Sequence, residues 1–216
     1  MTLPPLAAQA PTSQSLFVRF RHVGINVFIG VLYTFFAYSS FKQWFDTGNM
    51  GALLIAIQET IIISFVIFRR RSFEETKVFW EWLIAVGGTA APLLLRPDGT
   101  IVVTESVGAG IQFVGMLVTL VALLSLSRSF GVVAANRGVR TGGLYRFVRH
   151  PLYGSYIIGY AGFLLGNPTV WNVLIVVLML ICQYLRTLAE ERILLNDPAY
   201  QVYAANVRYR FIPLIF

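Results

Sequence analysis

Charge is scarce in this chain. Of its 216 residues 12% are charged and 56% are hydrophobic, against roughly 25% charged in soluble domains, and the mean hydropathy is +0.69. Water is not the main solvent of such a sequence. Histidine is equally scarce: His22 and His150 are the only two, and Cys182 is the single cysteine. That inventory holds no His/Cys set with metal-ligand spacing, so metal catalysis is not expected. One cysteine also excludes an intrachain disulfide. No glycine-rich strand-to-helix fingerprint and no Walker loop is present, which removes the common soluble nucleotide-binding signatures. Met1–Ser15 lacks the basic start and apolar run of a signal peptide. An irregular tail is expected over residues 1–18, and the first span then directs insertion.

Apolar runs, by contrast, are plentiful. Four approach the roughly 20 residues that cross a hydrocarbon core of about 30 Å: Val23–Phe41, Gly51–Phe68, Val78–Leu95 and Val107–Leu126. A fifth, Leu152–Leu165, is shorter, and Asn167-Pro168 separates it from a sixth, Val170–Leu185. Asn-Pro signals a turn and Pro rejects a helix interior, so the last two runs form a helical hairpin.

The basic residues lie between these runs. A net charge of +7 suggests nucleic acid in a soluble protein, but here alternate loops differ sharply and no nucleic-acid partner is expected. One side collects Arg19, Arg21, Arg69–Arg71, Lys77, Arg128, Arg137, Arg140, Arg146, Arg149, Arg186, Arg192, Arg208 and Arg210; the other has Lys42 and Arg96. The positive-inside rule then puts both termini in the cytoplasm, and anionic membrane lipids account for most of these cations. The expected fold class is all-α: a polytopic transmembrane bundle of about six spans, or five plus a re-entrant hairpin. Residues 1–126 form the N-terminal spans and 127–216 a C-terminal region, integrated in one domain.

Ionisable residues inside spans are functional candidates, because a charge at the bilayer centre costs at least about 2.5 kcal/mol. Glu59, after Gln58 in the second run, is such a residue; a structural hydrogen bond and a substrate contact are both open to it. Glu81, between Trp80 and Trp82, fits an interfacial belt.

Chemistry is concentrated in the last third, in Arg128-Ser129-Phe130-Gly131, in Arg140 to Tyr153, and in Arg186 to Leu195. Pro151 suits the first position of a helix, which makes His150 its N-cap and places Tyr153 in the first turn. A helix N-terminus attracts a carboxylate or phosphate. Arg186 and Glu190 stand at i and i+4 on one helical face, with Glu191 rotated by about 100°. The hairpin returns them to the membrane surface that carries His150. Two carboxylates, two arginines and a histidine gather there, which suits either a pocket for a cofactor bearing carboxylate, ammonium and ribose, or an interfacial salt-bridge network.

The run Tyr145-Arg146-Phe147-Val148-Arg149-His150-Pro151-Leu152-Tyr153, with Arg186 to Leu194 and Tyr200, Tyr203, Val207, Arg208 and Pro213 in the tail, resembles the isoprenylcysteine carboxyl methyltransferase family and the related phospholipid methyltransferases. The likeness covers about Ser127 to Phe216. It implies an integral membrane methyltransferase that moves a methyl group from S-adenosylmethionine to a lipophilic acceptor entering from the bilayer. The resemblance implies that Arg149, His150, Tyr153, Tyr203 and one or both of Glu190 and Glu191 hold the cofactor, that Arg186, Glu190 and Glu191 form the catalytic set, and that Arg186 sits near the acceptor; Glu59 lies outside the resemblance and is a substrate candidate as an intramembrane carboxyl. Family members commonly have Gly two positions after the motif tyrosine; here Gly154 comes one after and Ser155 two.

The resemblance favours a carboxylate acceptor of the isoprenylcysteine type, with phospholipid amine methylation as an alternative. A sterol-type, NADPH-dependent membrane reductase shares the Arg-His-Pro block but usually carries Asn where this chain has Leu152. A non-enzymatic membrane scaffold would need no paired Glu190-Glu191.

Overall fold

The computed structural model describes residues 16–68, 70, 72–96 and 105–213. The expected irregular start, Met1–Ser15, lies outside them, as do Arg69 and Arg71. Seven α-helices are present among the described residues: α1 (Leu16–Thr47), α2 (Met50–Ile67), α3 (Phe79–Ala90), α4 (Glu105–Leu126), α5 (Pro151–Gly166), α6 (Val170–Leu194) and α7 (Pro198–Asn206). Helix α1 starts at Leu16, ahead of the expected run, because the apolar Leu16-Phe17-Val18 contains nothing that breaks a helix.

Local chemistry sets the joints. Gly48, with φ of +71°, turns the chain between α1 and α2, and Asn49 caps α2 by accepting from the Ala52 amide at 3.1 Å. Helix α3 passes at Ala91–Leu94 into a 3₁₀ turn containing Pro92. The Asn167-Pro168 turn forms as expected: α5 ends at Gly166, and Thr169 caps α6 by accepting from the Asn172 amide. One feature outside the all-α expectation is a two-stranded antiparallel ladder, β1 (Glu74–Glu75) with β2 (Ala135–Asn136), which fastens the α2–α3 loop to the segment after α4.

Helices α2, α4 and α6 are long and apolar enough to cross a membrane. Helix α3 has 12 residues and α5 has 16, so at about 1.5 Å per residue each falls short of a core of about 30 Å. For α3 the cause is the early switch to the 3₁₀ turn; for α5 it is the Pro151 start and the Asn167 stop.

Helices α4 and α5 meet backbone to backbone. A Cβ placed on Gly115 would lie 2.6 Å from the Gly159 amide nitrogen, and one on Gly162 2.5 Å from that of Gln112, the small-residue contact typical of membrane helices. Between them Thr119 Oγ1 and Ser155 Oγ share a buried hydrogen bond of 2.7 Å. The start of α6 is pinned to the end of α3 by Asn172, which accepts from the Arg96 amide at 2.9 Å and donates to the Arg96 and Asn167 carbonyls at 2.6 and 3.0 Å. The main apolar core, which includes Tyr33, Ile62, Val66, Leu123, Phe130 and Leu152, ties α1, α2 and α4 to the start of α5. That start is where the polar residues converge.

Candidate active site

His150 is the N-cap of α5 with Pro151 at the first helical position, and α6 returns antiparallel so that Glu190 and Glu191 arrive beside it. The two glutamates diverge. Glu190 accepts a short hydrogen bond from the Tyr153 hydroxyl, and its other oxygen lies 3.9 Å from His150 Nδ1. Glu191 turns the opposite way, with Oε1 at 2.8 Å from Arg149 Nη1 and 3.2 Å from His150 Nε2, and Oε2 at 2.9 Å from Arg210 Nη2. His150 thus stands between two carboxylates, with its ring stacked on Tyr153 at 5.8 Å and 16°.

The C-terminal tail is strapped over this cluster. The Arg149 amide donates to the Tyr209 carbonyl at 2.9 Å and the His150 amide to the Arg210 carbonyl at 2.7 Å. Tyr203, on α7, donates its hydroxyl to the Tyr145 carbonyl at 2.6 Å. Burial pushes its phenol above the usual range, against the opposing pull of Arg149, so it keeps the proton it donates.

Between these elements lies a cavity of about 680 Å³ whose walls include Phe130, Arg137, Arg149, His150, Tyr153, Glu190, Tyr200 and Tyr203. Glu190 is the only carboxylate among its lining residues; Glu191 is not one of them. Three buried polar atoms on its walls have no hydrogen-bond partner: Arg137 Nε, Arg149 Nε and the Tyr200 hydroxyl. A small molecule with an anionic and a cationic end matches this mixture of groups.

Arg186 stands one turn deeper. Its side chain is 6% exposed, its guanidinium carbon lies 5.3 Å from the Tyr153 ring centroid, and Nη1 donates to Gln183 Oε1 at 3.0 Å. Its Nε has no partner. Arg186 and Glu59 both line a second, central cavity, which meets the first at Phe130, Leu152 and Tyr153. Glu59, on α2, is 6% exposed and faces the bundle.

The structure therefore brings Arg149, His150, Tyr153, Glu190, Glu191 and Tyr203 together at one end of the α5–α6 hairpin, sets Arg186 just beneath, and holds Glu59 farther along the same path. Sequence reading passed over Arg137, Tyr200 and Arg210 as site residues. Arg137 and Arg210 were absorbed into the topological charge pattern, and an isolated arginine carries no spacing signal. The row Tyr153, Tyr156, Tyr160 on α5 was also missed, although its helical spacing was legible.

Residues 103–202 match the protein family described as phospholipid methyltransferase. No curated protein matches the chain. The matched stretch includes α4, α5, α6 and the cavity walls they carry.

Proposed function

We propose that this chain, whose residues 103–202 match the phospholipid methyltransferase family, is an integral membrane enzyme that transfers a methyl group from S-adenosylmethionine to the carboxylate of a lipophilic acceptor, of the isoprenylcysteine type. The observation that carries the reading is Arg186: a buried guanidinium with a free Nε, set against Tyr153 where the two cavities meet.

The wall residues fit the cofactor. Glu190, the single lining carboxylate, suits its ammonium or ribose hydroxyls, and the unpartnered Arg137 and Arg149 nitrogens and Tyr200 hydroxyl suit its carboxylate and polar groups. When bound, S-adenosylmethionine supplies a methyl group on a positively charged sulfur. The protein has little proton chemistry to perform on a carboxylate acceptor, which is already a nucleophile. Its task is to position and desolvate. Arg186 offers a planar fork that orients a carboxylate, and the Tyr153 ring beneath it holds the fork in place. Tyr153 is itself fixed by its bond to Glu190, so cofactor side and acceptor side are mechanically joined. Glu191 acts through the tail, by holding Arg149 and Arg210.

The family description makes a phospholipid amine the second reading. A guanidinium at the transfer point favours an anionic group there over a protonated amine. We place the site and both termini on the cytoplasmic face, because the basic residues sort to that side.

The test is thermal. In detergent, S-adenosylmethionine or S-adenosylhomocysteine raises the melting temperature, since a ligand that binds only the native state stabilises it by mass action. NADPH does not. Stabilisation by NADPH alone would replace this reading with the reductase one, and a response to neither would leave a scaffold.

A further inference from the structure

Glu59 is a buried ionisable side chain that methyl transfer itself leaves without work. Its Oε2 has no hydrogen-bond partner, and the residue lines two cavities at once, the central one with Arg186 and a third of about 920 Å³. This third cavity lies between α1, α2, α4 and α5, in the half of the bundle remote from the cofactor-side pocket. Among the described residues Glu59 is the only carboxyl-bearing or basic residue on its walls, and Gln43, Asn49, Gln58 and Gln112 add neutral hydrogen-bonding groups. A passage built for hydrocarbon alone would not carry them, because a buried acceptor without a donor is costly.

Helix α5 marks the connection. Tyr153 lines the cofactor-side and central cavities, while Tyr156 and Tyr160 line the central and remote ones. From Tyr153 to Tyr160 the helix rises by about 10 Å. The row gives a single elongated amphiphile a line to follow, with its reacting end at Arg186.

We infer that the remote cavity is a second anchoring subsite for the acceptor, taking a hydrogen-bond-donating group, a hydroxyl or a protonated amine, with Glu59 as the receiving residue and the group that is methylated held farther along the row at Arg186. Identification of the occupant as acceptor rests on the methyltransferase reading; the subsite itself rests on Glu59 and its cavity. Glu59 supplies the one carboxyl on these walls, and it discriminates donor-bearing lipids from plain hydrocarbon chains.

The full-length protein in lipid nanodiscs is photolabelled with diazirine-tagged dodecylamine, dodecanol or dodecane, and the labelled peptides are mapped by mass spectrometry. The amine, the alcohol or both label segments 49–59 and 155–163, and dodecane does so far less. Gly159→Leu closes the cavity, because a Cβ there meets nothing within 4 Å and points into open space on its wall; it abolishes this labelling while the thermal response to S-adenosylmethionine persists, which shows that the variant is folded. Glu59→Ala lowers labelling about tenfold, as expected for loss of a bond to a charged group. Glu59→Gln lowers labelling by the amine more than by the alcohol, because the amide keeps a hydrogen bond and cannot pair with a cation. Labelling spread over the outer helices and indifferent to Gly159→Leu, equal labelling by dodecane, or labelling unchanged by Glu59→Ala would each overturn the subsite. Failure of S-adenosylmethionine to stabilise the wild-type protein would instead sink the methyltransferase reading and leave the labelling result standing.

Discussion

Arg186 and Tyr153 form the joint between the two halves of the proposed site: the guanidinium of one lies 5.3 Å from the ring centroid of the other, and the ring hydroxyl is bound in turn by Glu190. A cation placed in this way, 6% exposed and with Nε unpartnered, is available to an anionic group arriving in the central cavity.

Arg186→Ala therefore leaves S-adenosylmethionine binding nearly intact and lowers methyl transfer by about two orders of magnitude, the effect of losing roughly 3 kcal/mol of charge-assisted, desolvated contact. Arg186→Lys recovers little, because an ammonium does not reproduce the planar fork. The assay is transfer of labelled methyl groups into the lipid fraction of membranes containing the protein, beside a cofactor-binding measurement on the purified variant. If cofactor binding is lost and turnover at saturating cofactor survives, Arg186 belongs to the cofactor pocket.

Glu190 and Glu191 are adjacent in sequence and opposite in duty, so their substitutions fail differently. Glu190→Gln removes the one carboxylate of the cofactor-side cavity and chiefly weakens S-adenosylmethionine binding, with little change in melting temperature. Glu191→Gln removes the counter-charge of Arg149 and Arg210 and alters the hydrogen-bond partner of His150. It destabilises by about 3 kcal/mol, as breaking a buried ion pair does, and it frees the tail to trypsin. Equal melting temperatures for the two variants would contradict this division.

How much of this was legible follows from the kind of signal each feature leaves. Periodicity is local, so the α5–α6 hairpin, the His150 cap and the shared face of Arg186 and Glu190 were all readable, and the family likeness in the last third agrees with the match over residues 103–202. Span lengths were less so: hydropathy saw Val78–Leu95 as one run, but Pro92 stops the α-helix at Ala90. The separation of Glu190 from Glu191 was not readable at all. It depends on Arg210, some 20 residues downstream, folding back onto α6, and no local pattern announces a contact of that range. The same holds for the remote cavity, which four helices assemble from residues that are unremarkable in their own segments.

Gly154 carries the last prediction, and it bears on where this chain departs from the family's usual spacing. A Cβ added at Gly154 would lie 2.6 Å from the carbonyl oxygen of Phe211, which is backbone and has no rotamer to escape into. That carbonyl belongs to the tail held by the Arg149 and His150 amides and by Arg210 on Glu191. Gly154→Ala must therefore lift the tail, raising hydrogen exchange at the His150 amide and speeding tryptic cleavage at Arg208 and Arg210. Ser155, one residue on, is 1% exposed and bonds Thr119 Oγ1 at 2.7 Å and the Leu152 carbonyl at 2.7 Å, away from the tail. Ser155→Ala loosens the α4–α5 contact by about 1 kcal/mol and leaves tail protection unchanged. If Gly154→Ala is as protected as wild type, the tail is not seated on α5 by this contact, and the small residue at 154 would have to serve the cofactor instead.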